Sequence, residues 1–514
     1  MEQSNLLMSF MTTLVDWMWG WPLIITLLAT GLFFTIASGF FQFRFFGHVM
    51  METFGKLLRR KKDEEGEVGI LSPFEAISIA IGGTIGVGNI GGVATAIAVG
   101  GPGALFWLLV AGVAGQIIKM VEVTLAVYYR SKDEYGNPYG GPPYYMKKGI
   151  MEYYRSSMLA KVLIFVFLFG MFSSIFITMQ NYTVSEAIAS TLAKIQIQIE
   201  NPTLTSFSAG ELSNTSYQHY FNNYQLGISI IYTILVYIMI AGGLKKLGRI
   251  ASIIVPFMCL FYLTGGLFIV LKYISILPQV LRLVVNSAFN GTAAIGGFAG
   301  AAFIVVIQKG LARAVFSNEA GWGTSPMIHS TARTVHPIRQ GLWGVFEVTI
   351  STMLVCTITA LAIIITGEWS SGLSGATLTL NAFEHGMGST GRIILTVGIF
   401  LFGITTTSGW YTYYEILLRY VLGTHSSMKT SILKIYKWTF PIPGMGLVFY
   451  AVYFGLPSQK IWLFADFSTG LPTFANIVAI LLLAPKFLEL LRDYKARYLN
   501  IGTVKSSTKI FHES

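Results

Sequence analysis

The chain has 514 residues, of which 53% are hydrophobic and only 11% are charged. An average soluble domain is about 25% charged, so this chain lacks the polar surface that it would need in water. The composition therefore excludes a soluble enzyme, a nucleic-acid-binding protein and a disordered protein, although a formal charge of +11 on a soluble chain would suggest nucleic acid. We expect an integral membrane protein that has the lipid bilayer as its surroundings.

A first apolar segment covers residues 17–41 and is long enough to cross about 30 Å of hydrocarbon. It is not typical of a secretory signal, because no Lys or Arg precedes Arg44 and a signal peptide begins with a positive region. Further apolar segments follow in two groups of five, at 70–99, 102–129, 161–190, 224–242 and 250–273, and at 290–316, 341–366, 390–418, 437–455 and 463–485. The pattern predicts an all-α integral membrane protein with eleven transmembrane helices.

Four parts of the chain follow from these segments. They are an N-terminal transmembrane helix with a basic cytoplasmic loop (1–69), a first five-helix repeat (70–275), a second five-helix repeat (290–485) and a cytoplasmic C-terminal tail (486–514).

Lys and Arg concentrate in every second loop, as they do in the cytoplasmic loops of membrane proteins. Basic residues cluster at 44–62, 130–148, 245–249, 333–339 and 429–437, and again after residue 485. The loops 195–223 and 367–389 contain neither Lys nor Arg. The bias predicts a multi-pass protein of the plasma membrane, with its N-terminus outside and its C-terminus in the cytoplasm. The two groups of five then begin in opposite orientations, which is the layout of an inverted repeat.

Each group opens with a helix that is interrupted by glycines. The first has Gly82, Gly83, Gly86, Gly88, Gly91 and Gly92, and the second has Gly296, Gly297 and Gly300. Paired broken helices at corresponding positions of two halves are the best sequence indication of a transporter binding site.

Residues 86–91 also match G-x-G-x-x-G, the dinucleotide-binding fingerprint. That fingerprint needs a preceding strand, which a membrane span does not provide. Close helix packing through small residues is one alternative. The pattern favours a helix break, whose freed amides would attract a carboxylate and whose freed carbonyls would coordinate a cation.

Five sequence blocks now become recognisable together. They are GTIGVGNI at 83–90, GGPGA at 100–104, GGPPYY at 140–145, SNEAGWG at 317–323 and RQGL at 339–342. In this order they resemble the alanine or glycine:cation symporters, which are sodium-coupled amino-acid carriers of the leucine-transporter fold. The resemblance covers about residues 70–420, and it implies a ten-helix inverted-repeat core with two broken helices and one added N-terminal helix.

The resemblance implies a site for a small neutral amino acid, with alanine or glycine first. Backbone amides of Val87 and Gly88 would receive the substrate carboxylate, while Gln180 would face the substrate. The full set of implied substrate-binding residues is Thr84, Val87, Gly88, Gln180, Phe298, Thr406 and Trp410.

A sodium ion is the implied coupling ion. Its implied ligands are the backbone carbonyls of Gly82, Ile85 and Phe402 and the hydroxyls of Thr405 and Thr406. Neighbouring residues on a helix point about 100° apart, so both hydroxyls can bind only an ion that lies between their directions, and Thr405 is the favoured ligand of the two. Considered alone, the hydroxyls of residues 405–408 could instead bond back to their own helix. The sequence departs from the family at Ser351, where an acidic residue is common, and the hydroxyl-rich stretch around Thr405 leaves the identity of the substrate open.

Charges inside the predicted spans are functional hypotheses. Lys119 and Glu122 are three residues apart and share a helix face. With Lys309, Arg313, Glu347 and Glu415 they are expected towards the cytoplasmic side. They could form an ion-pair network that closes an inner gate, or they could snorkel to the interface without a gating role.

Other functions remain as alternatives at this point. A proton-coupled carrier of this fold can place a lysine amine where the cation binds, but residues 250–273 carry only Lys272, at their outer end. A glutamine-type neutral carrier is also open. An ion channel would be expected to repeat a pore motif or to present rings of charge, and the sequence shows neither feature. An enzyme would need a buried nucleophile and base or a set of metal ligands, and His329 and His336 have no such partners at metal spacing. We expect a carrier that is not an enzyme, of unassigned oligomeric state.

Overall fold

A computed structural model describes residues 2–59, 69–173, 179–201, 215–290, 303–423, 428–456 and 458–512. These residues are mainly helical, and one short antiparallel ribbon pairs Ser131–Lys132 with Pro138–Tyr139. The helical class predicted from the sequence is confirmed.

The helices before residue 275 include two that are separated by a break at residues 85–87. They are Glu2–Met18, Trp21–Ala37, Phe41–Arg44, Phe46–Glu52, Phe54–Arg59, Pro73–Thr84, Val93–Gly100, Ala104–Tyr128, Pro142–Tyr154, Ser157–Ser173, Met179–Glu200, Thr215–Ile240 and Gly243–Lys272. A π-helical turn, Gly88–Gly92, precedes Val93–Gly100.

The later helices include the longest of the described part, Ser389–Leu422, which we call the long helix. The others are Leu277–Asn290, Phe303–Asn318, Ser325–His329, Pro337–Val348, Thr357–Ile365, Gly375–Met387, Lys429–Thr439, Ile442–Phe454, Ser458–Leu482 and Ala484–Tyr498. A π-helical segment, Thr349–Cys356, joins two of them.

Six helices in the described part are long and apolar enough to cross a membrane. They are Ser9–Ala37, Ala104–Tyr128, Ser216–Ile240, Gly243–Lys272, Pro337–Ile365 and Ser389–Leu422. Two bent pairs, Pro73–Thr84 with Gly88–Gly100 and Asp466–Leu482 with Ala484–Tyr498, raise the number to eight. The count of eleven stays a prediction, because residues 174–178 and 291–302 of two predicted spans lie outside the described residues. The helix Ile442–Phe454 has 13 residues, fewer than the roughly 20 that span a bilayer.

The pair Pro73–Thr84 and Gly88–Gly100, which we call the first broken helix, bends by 44°. Its start is a capping box: Ser72 Oγ accepts from the amide of Glu75 at 3.2 Å, and the Glu75 carboxylate accepts from the amide of Ser72 at 2.9 Å. Every residue from 76 to 98 is buried. The predicted break therefore lies inside the protein rather than at its lipid-facing surface.

Helices from both halves of the chain surround the first broken helix. Its first half packs on Gly243–Lys272 and on the long helix, and its second half packs on Phe303–Asn318 and Gly375–Met387. Glycine allows the long helix to approach closely, since a Cβ atom built at Gly409 would lie only 3.0 Å from the Cα of Gly83. This contact brings the hydroxyl-rich part of the long helix against the break.

The helix Ala484–Tyr498 joins distant parts of the chain on one side of the molecule. Lys495 Nζ donates to the carbonyl of Ser38 at 2.7 Å, and the Tyr494 hydroxyl lies 2.9 Å from His48 Nε2. Asp493 lies 3.2 Å from Nε2 of the buried His336. This helix thereby links the N-terminal segment to the loop before Pro337–Val348.

The close contact at Gly409 can be tested with two alanine variants of the long helix. Gly409→Ala should destabilise the protein by about 1–2 kcal/mol, because the added methyl overpacks against backbone. Gly398→Ala is the matched control, since its Cβ would meet the Tyr262 and Phe402 rings at ordinary contact distances of 3.7 and 3.9 Å, and alanine is favoured over glycine by up to about 1 kcal/mol in a helix. Thermal unfolding in detergent measures both. Equal melting temperatures for the two variants would contradict the assigned contact.

Candidate functional site

The break in the first broken helix is stabilised by one asparagine. Ile85 has an extended backbone, with φ −82° and ψ 98°, so the helical hydrogen bonds stop there. The carboxamide of Asn89 accepts from the amide of Gly86 at 3.1 Å and donates to the carbonyl of Ser351 at 3.0 Å. Asn89 therefore fixes the shape of the break and ties it to the π-helical segment of the second half.

Three of the oxygens predicted to bind sodium meet at this break. Thr406 Oγ1 lies 2.8 Å from the carbonyl oxygen of Gly82 and 3.4 Å from that of Ile85. Sodium, like other hard cations, prefers oxygen ligands, so the arrangement has the right donor chemistry. The residues of the described ranges include no cluster of His, Cys, Asp and Glu that could hold a metal ion.

The other two predicted sodium ligands are arranged differently. Thr405 Oγ1 lies 2.9 Å from the carbonyl of Leu401 and 3.0 Å from that of Phe402, so its hydroxyl bonds back to its own helix. This is the local bonding that the sequence left open as an alternative. The Thr405 side chain nevertheless packs towards Gly82, and a Cβ atom there would lie 3.7 Å from its hydroxyl oxygen.

Trp410, four residues after Thr406, joins the long helix to the segment that follows Phe303–Asn318. Its indole Nε1 donates to the Glu319 carboxylate at 3.1 Å, and its ring contacts the ring of Trp322 edge to face, with centroids 4.8 Å apart. The other Glu319 oxygen accepts from Thr324 at 2.6 Å. The indole is therefore held in one orientation by a buried carboxylate.

Thr84, the last residue of the first half-helix, contacts a buried charge cluster. Its hydroxyl lies 2.5 Å from the Glu347 carboxylate, which also lies 3.4 Å from Lys119 Nζ. Ser325 and His329 contact the other Glu347 oxygen at 3.1 and 3.0 Å. This cluster, which we call the Glu347 cluster, joins the first broken helix to the helices of the second half.

The predicted charge network is therefore divided among separate partners. Glu122 contacts the amide of Gly321 at 3.1 Å and the carboxamide of Asn476 rather than Lys119. The other pairs are Arg313 with Asp466 and Glu415 with Arg419. A gating role for these charges stays a prediction.

The remaining predicted substrate residues are only partly described. Val87 and Gly88 are buried at the break, and the Phe316 ring occupies the position that a side chain at Gly88 would need. Gln180 is buried at the start of Met179–Glu200. Phe298 lies outside the described residues, so its position relative to the break stays a prediction.

Sequence reasoning missed three residues of this region, Asn89, Phe316 and Glu319. Asn89 and Glu319 lie inside two of the recognised sequence blocks, and a buried polar side chain next to a helix break needs hydrogen-bond partners. That argument could have singled them out. Phe316 has no polar signal and is identified only by its contact with Gly88.

Comparisons with known proteins identify what this chain is similar to. The model of the sodium:alanine symporter family matches residues 4–507. The sodium/alanine symporter AgcS of Methanococcus maripaludis is 32% identical, over 98% of this chain and 97% of its own length. The probable sodium/glutamine symporter GlnT of Bacillus subtilis is 32% identical, over 93% of this chain and 89% of its own length.

A solved structure has a similar fold. The crystal structure of MhsT in complex with L-phenylalanine gives a TM-score of 0.54 at 12% identity, over 83% of this chain and 99% of MhsT. At this identity the likeness shows the fold alone, which is that of the leucine transporter.

The contact of Thr84 with the Glu347 cluster should contribute to stability. Thr84→Val keeps the shape of the side chain and removes the hydroxyl, so we expect a loss of about 1–2 kcal/mol, the upper range for hydrogen bonds inside membrane proteins. Thr84→Ser keeps the hydroxyl and should unfold close to the wild type. The melting temperature in detergent is the measurement, and a valine variant as stable as the serine variant would show that this bond contributes nothing.

Proposed function

Since this chain belongs to the sodium:alanine symporter family, we propose that it is a sodium-coupled symporter that imports a small neutral amino acid, alanine or glycine, by alternating access. Membership confirms the resemblance seen in the five sequence blocks. The observation that carries the proposal is the meeting of the Gly82 and Ile85 carbonyls with the Thr406 hydroxyl. A carrier of this kind is not an enzyme.

Sodium would bind where these oxygens converge. In the proposed bound state the Thr406 hydroxyl turns its proton away and offers its oxygen to the ion, together with the two carbonyls. Thr405 and the carbonyl of Phe402 would complete the shell after the Thr405 hydroxyl leaves its own helix. A shell of neutral oxygens does not titrate near neutral pH, which suits a sodium site rather than a proton site.

The substrate would bind next to the same break. Its carboxylate would accept from the amides of Val87 and Gly88, at the start of a half-helix whose dipole favours negative charge. Thr84, Gln180, Phe298, Thr406 and Trp410 would form the rest of the site. The hydrogen bond from Trp410 to Glu319 supports a rigid wall that limits the size of the substrate side chain.

The driving force is sufficient for uphill import. One sodium ion crossing a potential of about 100 mV supplies roughly 2.3 kcal/mol, and a tenfold sodium gradient adds about 1.4 kcal/mol. Together they support roughly 500-fold accumulation of a neutral amino acid.

Glutamine is the second candidate substrate, because the probable sodium/glutamine symporter GlnT is 32% identical to this chain over 89% of its own length. Proton coupling is less well supported. Lys272 lies at the end of its helix, where its amine donates to the carbonyl of Gly386 at 2.7 Å. Neither Lys272 nor Gly386 belongs to the break at residues 85–87.

We place the protein in the plasma membrane with eleven spans in the four parts given above. In this arrangement the N-terminus is outside and the C-terminus is in the cytoplasm. The loop 195–223 then lies outside. A single cysteine that replaces Ser213 in this loop, in a chain lacking Cys259 and Cys356, should therefore react with a membrane-impermeant maleimide in intact cells. Protection of that cysteine would contradict the orientation.

Transport by the purified protein in proteoliposomes tests the function directly. Uptake of labelled alanine or glycine should require an inward sodium gradient and should stop when potassium replaces sodium. Competition by glutamine and by D-amino acids then defines the substrate. Uptake driven by a proton gradient without sodium would contradict the proposal.

Replacing Thr406 should separate ion binding from folding. Thr406→Ala removes one oxygen ligand to a cation, and a hydrogen bond or ligand to a charged group contributes about 1.5–3 kcal/mol. We therefore expect the sodium concentration for half-maximal uptake to rise roughly 10- to 100-fold, with Thr406→Ser close to the wild type. Thr405→Ala should have a smaller effect, since its hydroxyl starts from a bond within its own helix. Normal sodium dependence in Thr406→Ala would refute the assignment.

A further inference from the structure

A cavity of about 260 Å³ lies beside the C-terminal end of the long helix. Its walls come from the Ser131–Tyr139 ribbon, the helix Pro142–Tyr154, the end of the long helix and the start of Lys429–Thr439. The residues that line it are Ser131, Lys132, Asp133, Tyr139, Tyr144, Lys147, Lys148, Arg419, Tyr420, Gly423 and Lys429. None of them belongs to the proposed sodium or amino-acid site.

Five of the lining side chains are cationic and one is acidic. Two of the cations already have carboxylate partners: Arg419 pairs with Glu415 at 2.7 Å, and Lys429 lies 3.6 Å from Glu134. The acidic residue, Asp133, is used within the ribbon turn, where its carboxylate accepts from the amides of Tyr135 and Asn137. None of these three carboxylates therefore pairs with Lys132, Lys147 or Lys148, which are the remaining cations of the cavity.

Three lysines supply that uncompensated charge. Lys148 Nζ donates to the carbonyl of Arg130 at 3.1 Å, and burial, followed by the neighbouring charge of Lys147, lowers the pKa of Lys148. Lys132 and Lys147 form no ion pair with any carboxylate in the part of the chain that the structure describes. Like charges gathered around one concave surface repel each other, and an anion in the cavity would relieve that repulsion.

We propose that this cavity binds a phosphate-bearing anion. A phosphate group has several strong acceptor oxygens, which suit the amines of Lys132, Lys147 and Lys148 together with the Ser131 hydroxyl. The volume is below the roughly 300–1,000 Å³ of pockets for drug-sized ligands, so it suits a phosphate group with few additional atoms. Basic pockets of membrane proteins bind lipid headgroups in this way.

The anion could come from the headgroup of an acidic membrane lipid or from a soluble phosphate compound. Both present the same chemistry to the cavity. Arg419 and Tyr420 belong to the long helix, which also carries Thr406 and Trp410. Arg419 stands 13 positions after Thr406, or about 20 Å along a helix that rises 1.5 Å per residue. An anion bound there would therefore restrain the end of the helix that supplies the proposed ion ligand.

Two binding measurements on the full-length protein distinguish the sources. One follows the melting temperature in neutral detergent during titration with pyrophosphate, against chloride at equal ionic strength and equal sodium. The other counts phosphatidylglycerol and phosphatidylcholine molecules that remain bound in native mass spectrometry. A phosphatidylglycerol-specific signal identifies a lipid site, a pyrophosphate shift identifies a soluble ligand, and both together indicate recognition of the phosphate itself.

The deciding variant is Lys147→Gln with Lys148→Gln. Each lysine near an anionic group contributes about a factor of five in affinity, so the double variant should bind whichever ligand is recognised about 30-fold more weakly. The control is Lys245→Gln with Lys246→Gln, which removes two adjacent exposed lysines outside the cavity and should bind like the wild type.

A charge-conserving variant separates binding from folding. Lys147→Arg with Lys148→Arg should keep the affinity, and the single change Lys132→Gln, at an exposed position, should weaken binding about fivefold. The proposal is overturned if neither ligand binds the wild type, or if the two glutamine double variants lose the same affinity.

Discussion

A helix that stops inside a membrane protein leaves backbone groups that the lipid tails cannot satisfy. The first broken helix stops at Thr84 with buried residues on both sides of the break. Its freed groups are met by the Asn89 carboxamide and the Thr406 hydroxyl. The rest of the site depends on this one constraint, because the partners that satisfy the break also bring the second half of the chain against it.

Two buried carboxylates also bring together groups from different helices. Glu347 accepts from a residue of the first broken helix and from two of the second half, and Glu319 accepts from the long helix. Breaking a buried pair is costly because it strands a charge. The Glu347 contacts therefore couple the first broken helix to the second half of the chain, so that a shift of either one requires new partners in the other.

The glycine pattern predicted the break and its position, and the family resemblance implied which helix covers it. Glycine content and apolar length are local properties, and they identified the first broken helix and the long helix correctly. The distinction between Thr405 and Thr406 is not local. Neighbouring residues on a helix point about 100° apart, and only the packing of Gly409 on Gly83 decides which hydroxyl reaches the carbonyls. The Phe316 contact likewise depends on tertiary packing that no pattern in the chain records.

The contacts of the helix Ala484–Tyr498 have a consequence for biosynthesis. A chain is made from its N-terminus, so the Ser38 carbonyl and the His48 ring are inserted long before their partners exist. Those partners, Lys495 and Tyr494, lie 457 and 446 residues later in the chain. Until they are made, the end of the helix Trp21–Ala37 must be satisfied by water or by lipid headgroups, which requires that it stay near the membrane surface. The helix Ala484–Tyr498 thus completes the end of Trp21–Ala37, and this N-terminal segment reaches its final packing only after Tyr494 and Lys495 have been made.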